Sequence, residues 1–94
     1  MRNAFFHDRP HTPTDWFKKT ERERRDADAL IRILKNKMAE SDSTITGFNI
    51  GVNCGESAGQ TIFHAHMHLI PRRDGDTANP RGGVRGVIPD KMGY

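Results

Sequence analysis

Thr61-Ile62-Phe63-His64-Ala65-His66-Met67-His68-Leu69-Ile70 is the stretch on which the reading of this chain turns. Along an extended backbone successive side chains point to opposite faces, so His64, His66 and His68 share one face, about 7 Å apart in steps of two residues. Phe63, Ala65, Met67 and Leu69 share the other. The apolar row is the one that packs, and the three imidazoles therefore face away from the core. Pro71 is expected to stop the strand.

Working backwards, residues 45–53 show the same period of two, with Phe48, Ile50 and Val52 alternating against Gly47, Asn49, Gly51 and Asn53. Gly55-Glu-Ser-Ala-Gly-Gln60 joins the two runs as a short connection, and strands so joined pair antiparallel. Further upstream, Thr20-Glu-Arg-Glu23 has the spacing of a capping box, which starts a helix. Ala27, Leu30, Ile31, Leu34 and Met38 then recur at the three-and-four spacing that lines one helical face, leaving Arg24, Arg25, Asp28, Arg32 and Lys35 for solvent. The layout expected is one α+β domain: an irregular entry segment over 1–19, a helix over 20–40 covering one face of a two-stranded antiparallel unit over 45–70, and a Gly- and Pro-bearing tail over 71–94.

Composition bounds what such a domain can do. Ninety-four residues bury only about two thirds of the surface their unfolded chain exposes, so the core is thin. The formal charge is +3, from 15 Lys+Arg against 12 Asp+Glu, and Arg72, Arg73, Arg81 and Arg85 all follow His68. With no dense basic run interleaved with aromatics, small anions suit the chain better than a long nucleic-acid track. No stretch approaches the roughly 20 apolar residues of a membrane span, and the amino end lacks the apolar core of a signal peptide. The single cysteine, Cys54, has no partner for an intramolecular disulfide. A cytoplasmic setting follows as the expectation.

Three imidazoles so close cannot all be charged cheaply, because like charges oppose one another and histidine titrates near neutrality. At least one is expected to be neutral and nucleophilic. A neutral imidazole nitrogen can attack phosphorus to give a phosphoramidate that water then hydrolyses, while its neighbours donate hydrogen bonds to phosphoryl oxygens or protonate the leaving group. The middle ring has a helper on each side. Alternating histidines on a strand can also ligate zinc, and a merely solvated row has the same spacing. Spacing alone leaves these readings open.

The longer run Asn49-Ile-Gly-Val-Asn53-Cys-Gly-Glu-Ser-Ala-Gly59-Gln60-Thr61-Ile-Phe-His64-Ala-His66-Met-His68-Leu-Ile-Pro-Arg72 resembles the signature of the histidine-triad (HIT) superfamily. In that pattern three histidines alternate with apolar residues after a Gly-Gln-(Ser/Thr) step and an earlier Asn. The tail, Arg73-Asp-Gly-Asp76 and then Asn79-Pro-Arg-Gly-Gly-Val-Arg-Gly-Val-Ile-Pro89, resembles the bacterial branch with diadenosine tetraphosphate hydrolase-like members. The resemblance implies a hydrolase or nucleotidyl transferase acting on the α-phosphate of nucleoside phosphoramidates or dinucleoside polyphosphates. It implies His66 as nucleophile, His64 and His68 flanking the phosphate, and His11 orienting the row. Asn53, Gln60 and Thr61 would bind ribose-phosphate or phosphoryl oxygens, and Arg72, beside the row, would gather substrate charge. No metal and no cofactor is implied.

Against the family pattern the amino end is short, since residues 1–9 stand where further strands and a helix would supply much of the base pocket. The fold expected is HIT-like and amino-terminally truncated. A two-stranded sheet is marginal in water, so a homo-oligomer, a dimer with exchanged strands among the options, is expected as partner beside the nucleotide. The shortened end also raises a different expectation: a catalytically impaired nucleotide-binding or assembly protein.

Overall fold

The computed structural model describes residues 13–91. Within them the entry runs irregularly through a 3₁₀ turn, Trp16–Lys18, which Asp15 caps by accepting from the Phe17 and Lys18 amides. Thr20 then opens helix α1 (Glu21–Ser41). The capping box forms as its spacing predicts: the Thr20 amide donates to Glu23 Oε1 at 2.7 Å, and the Glu23 amide to Thr20 Oγ1 at 3.2 Å. The second of these bonds satisfies an amide that the first helical turn leaves without a carbonyl.

Strands β1 (Ile45–Gly51) and β2 (His68–Arg73) pair antiparallel. One helix beside a two-stranded antiparallel sheet is the α+β arrangement expected. Ile50 lies opposite Leu69 and Phe48 opposite Pro71, on the face that meets Ile31 of α1 across an open groove. Asn49 lies opposite Ile70 and Gly51 opposite His68, on the other face. Thr46 is an extra residue between the Ile45–Arg73 and Gly47–Arg72 pairs.

Two strand limits differ from the sequence reading. The second strand was expected over 61–70, but its ladder begins only at His68, because Gly51, the partner of His68, is the last residue of β1. Pro71 does not end it. β2 runs on to Arg73, since both strands of a two-stranded sheet are edges and an edge tolerates a residue without an N–H.

The apolar face of α1 is also only partly used. Ala27, Ile31 and Met38 are half-buried, whereas Leu30 and Ile33 stay 56% and 53% exposed. The sheet is too narrow to cover the whole stripe, and no apolar side chain among the described residues is fully buried. Among the described residues no helix is long and apolar enough to cross a membrane.

Where the core is thin, polar clasps join the elements. Arg73 reaches from β2 to the end of α1, its Nη2 on Asp42 Oδ2 at 2.6 Å and its Nε on Thr44 Oγ1 at 3.1 Å. Thr44 donates its own amide and hydroxyl to Asp42. Arg72 holds Asp76 with two parallel bonds of 2.9 and 2.8 Å and gives Nη1 to Asn49 Oδ1 at 2.6 Å, tying β2 to both β1 and the turn after it. The Arg73 amide donates to Asp76 as well. Forked guanidinium–carboxylate pairs of this kind fix geometry as well as charge.

Removing the cap, Thr20→Ala, is expected to cost about 1 kcal/mol in chemical unfolding followed by helical circular dichroism. The clasps predict an acid dependence. Bonds from Thr44 and then Arg73 lower the Asp42 carboxyl from 3.8 to about 2, and Arg72 with the Arg73 amide holds Asp76 well below the usual range. A carboxyl depressed in the folded state takes its proton first in the unfolded chain. Its stabilisation is therefore whole above about pH 5 and drains away as pH falls toward about 2. Tm should be flat from neutrality down to about pH 5 and fall below it. The Asp42→Asn, Asp76→Asn double variant should melt lower at neutrality and show a shallower acid slope.

Candidate active site

The three imidazoles stand in a row, with ring centroids 5.4 Å apart from His64 to His66 and 5.6 Å from His66 to His68, tilted by 35° and 39°. His68 is anchored as the first residue of β2. Residues 64–67 belong to no ladder, but the Ala65 amide donates to the Pro13 carbonyl at 2.9 Å, so the entry segment steadies the row from its side. The central ring is open. His66 and His68 are exposed and His64 is half-buried, so nothing apolar walls off the nitrogen that would meet a substrate.

On the other side of the segment Ala65, Met67 and Leu69 are half-buried, in keeping with the expected partition. Phe63 is not. It is exposed, because it lies beyond the reach of the paired strands.

Gln60 is the single buried residue among those described, at 4% exposure. Its Oε1 accepts from the Gly55 amide at 2.7 Å, and its Nε2 donates to the carbonyls of Thr14, at 2.5 Å, and Ile62, at 3.2 Å. Both amide hydrogens are thereby engaged with backbone. The side chain closes the 55–60 loop on itself and ties that loop to the entry segment and to the chain leading into the histidines. The loop's own amides turn inward too: Ala58 and Gln60 donate to the Gly55 carbonyl and Gly59 to that of Glu56.

Asn53 is exposed just past β1, and it lines with His68 an open groove of about 480 Å³ whose other walls include Asn49, Ile70, Val84 and Val87. Thr61 is exposed beside the row's approach. Arg72 lies in a separate hollow with Asp74 and Asp76, its guanidinium already engaged with Asp76 and Asn49. Hydrogen bonding to Asp76 raises its pKa further. His11 lies outside the described residues. Among the described residues no three His, Cys, Asp or Glu side chains are grouped as a metal ion would need.

Two participants escaped the sequence reading. Asn49, given no role by the sequence reading, is half-buried with its carboxamide oriented by Arg72. Val84 and Val87 come from the tail, in a 3₁₀ segment, Gly83–Val87, that laps over the sheet beside His68. The spacing Arg72-x-x-x-Asp76 around a Gly turn was the one available signal for the first. Nothing local announced the second.

The family model described as HIT domain matches residues 8–75. Adenylylsulfatase HINT3 of Arabidopsis thaliana is 52% identical over 40 residues, which are 43% of this chain and 18% of that protein. An AP-4-A phosphorylase of Mycobacterium tuberculosis is 45% identical over 47 residues, 49% of this chain and 22% of that protein. An uncharacterized HIT-like protein of Methanocaldococcus jannaschii, MJ0866, is 43% identical over 47 residues, 49% of this chain and 36% of its own. The chain thus spans well under half the length of these curated relatives. No solved structure matches it significantly.

Gln60→Ala strands a part-buried amide and two carbonyls and should lower stability by about 2 kcal/mol or more. Gln60→Glu keeps the acceptor for Gly55 but turns oxygens toward the Thr14 and Ile62 carbonyls, so thermal unfolding should find it at least as damaging. Wild-type stability in both variants, with loss confined to ligand affinity, would return this carboxamide to the substrate.

Proposed function

The chain belongs to the HIT domain family, and from that premise we propose that it carries a nucleotidyl-transferring or nucleotide-hydrolysing site centred on His66. The observation that carries the reading is the row itself: a solvent-open central imidazole with another ring 5.4 Å and 5.6 Å to either side. A neutral nitrogen of His66 attacks the α-phosphorus of a nucleoside phosphoramidate or dinucleoside polyphosphate. A P–N bond to His66 forms as the bond to the leaving group breaks, and the leaving group departs with a proton. Water then attacks the same phosphorus, releases the nucleoside monophosphate and restores the imidazole.

The neighbours have distinct work. His64 and His68 bracket the phosphoryl oxygens, where donated hydrogen bonds count most as charge builds in the transition state. Asn53, on the groove that His68 lines, binds ribose-phosphate oxygens, and Thr61 and His11 assist at the row. Gln60 serves by holding the approach to the row, and Arg72 by holding β1 to β2. No metal or cofactor enters this scheme. The functional unit is a homo-oligomer, a dimer in the first instance, supported by the exposed Leu30 and Ile33 on α1. The plant relative's name, an adenylylsulfatase, and the mycobacterial one's, an AP-4-A phosphorylase, support the substrate class.

A second reading is favoured by one feature: the groove at His68 is open, and no apolar side chain among the described residues is buried. A chain so thinly walled would bind nucleotide without turning it over. Mixing the protein with adenosine 5′-phosphoramidate and quenching rapidly should give, by mass spectrometry, a transient adenylyl adduct on His66, with turnover reduced at least about a thousandfold in His66→Ala. Turnover that survives His66→Ala would end the proposal, and micromolar AMP binding without any adduct would select the binding protein instead.

A further inference from the structure

The histidine row is held from two sides, and β2 accounts for one of them. His68 is the first residue of β2, so the ladder fixes that end. The other end meets the backbone of the entry segment. The Pro13 carbonyl accepts from the Ala65 amide at 2.9 Å, between the first two rings, and the next carbonyl, that of Thr14, accepts from Gln60 Nε2 at 2.5 Å. Two consecutive carbonyls thus hold the stretch that carries His64 and His66. Each peptide plane moves as a unit and the Pro13 ring fixes its own φ, so few dihedrals remain to set where these carbonyls point.

The residue that follows them is Asp15, which is half-buried. Its Oδ1 accepts from the Phe17 amide at 2.9 Å and the Lys18 amide at 3.2 Å, and its carbonyl accepts from the Lys18 amide as well. The turn so capped is tied to α1. The Lys19 amide donates to the Trp16 carbonyl, Arg24 Nη1 donates to the Lys19 carbonyl at 2.8 Å, and the Thr20 amide belongs to the capping box. Residues 13–20 therefore form a strap from the start of α1 to the histidines. A carboxylate repels phosphoryl oxygens, so any part that Asp15 plays in the site runs through this backbone.

We infer that Asp15 is a positioning residue for the reaction at His66: by capping the turn Trp16–Lys18, its carboxylate fixes the Pro13 and Thr14 carbonyls that hold the histidine segment in line. The inference rests on the reading of His66 given above and adds to it a residue that acts without touching substrate. Take away the cap, and the Phe17 and Lys18 amides lose their acceptor, the turn loosens, and the two carbonyls are free to swing. The rings then range over a wider arc. A displacement of about 1 Å in a reacting group can lower a rate by about a hundredfold.

Three substitutions at this position, in the whole chain, separate cap from charge. Asp15→Asn keeps an oxygen in place for both amides, Asp15→Ala removes it, and Asp15→Glu keeps the charge but carries the oxygen one methylene further out. Asp42→Asn, which weakens the clasp at the far end of α1, is the control for lost stability alone. With adenosine 5′-phosphoramidate as substrate, Asp15→Ala and Asp15→Glu should lower kcat about tenfold or more with KM held within about twofold, and Asp15→Asn should keep the wild-type kcat. Asp42→Asn should melt lower with kcat unchanged. The ring Cε1–Hε1 signals of His64 and His66, recorded by NMR without substrate, should move in the Ala and Glu variants and stay in place in Asp15→Asn and Asp42→Asn. Circular dichroism checks that each variant keeps its helix, and Asp15→Glu carries the test if Asp15→Ala does not fold. Asp15→Asn as damaging as Asp15→Ala, a KM effect with kcat intact, or ring signals unmoved by loss of the cap overturns the inference. The ring signals do not depend on turnover: a wild type without activity removes the reading of His66, and the signals still decide whether Asp15 sets the row.

Discussion

The carboxamide of Gln60 is the hinge on which the site's geometry hangs, because it joins three stretches of chain that share no ladder. Its oxygen holds the Gly55 amide, and its nitrogen holds the carbonyls of Thr14 and Ile62. Strand pairing reaches only as far as His68, and this clamp with the Ala65–Pro13 bond helps set the path of the segment bearing His64 and His66. Buried at 4% exposure, these bonds are sheltered from water, where a lost partner is costly. An imidazole row that must meet a phosphorus atom depends on such backbone order more than on the rings themselves.

The two consecutive arginines complete the frame by a division of labour. Side chains at successive strand positions point to opposite faces, and so Arg73 reaches Asp42 at the end of α1 while Arg72 reaches Asn49 and Asp76 near the tail. One closes the helix onto the sheet and the other orders the turn from which the tail departs. Each uses its positive charge inside the fold. Arg72, close to the histidines in sequence, shares its guanidinium between Asp76 and Asn49.

Much of this was legible in the residues. The capping box at Thr20 and Glu23 and the strand alternation around Phe48 and Ile50 are local patterns, and both formed. The row of histidines kept its common side even where no strand pairs with it. Less legible were limits set by partners. Where β2 begins depends on where β1 ends, and whether Leu30 is covered depends on how wide a sheet lies beneath it.

From its sequence alone the chain was bound to be an α+β unit presenting His64, His66 and His68 together, because periodicity and caps act over a few residues and need no distant contact. Only the tertiary structure decided what Gln60, Arg72, Asn49, Val84 and Val87 touch. Their partners lie 46 residues away for Gln60 and 23 for Arg72 with Asn49, separations over which composition and spacing carry no directional information. Which backbone carbonyl or carboxylate reaches a polar side chain is fixed by the folded chain, not by the residues beside it in sequence.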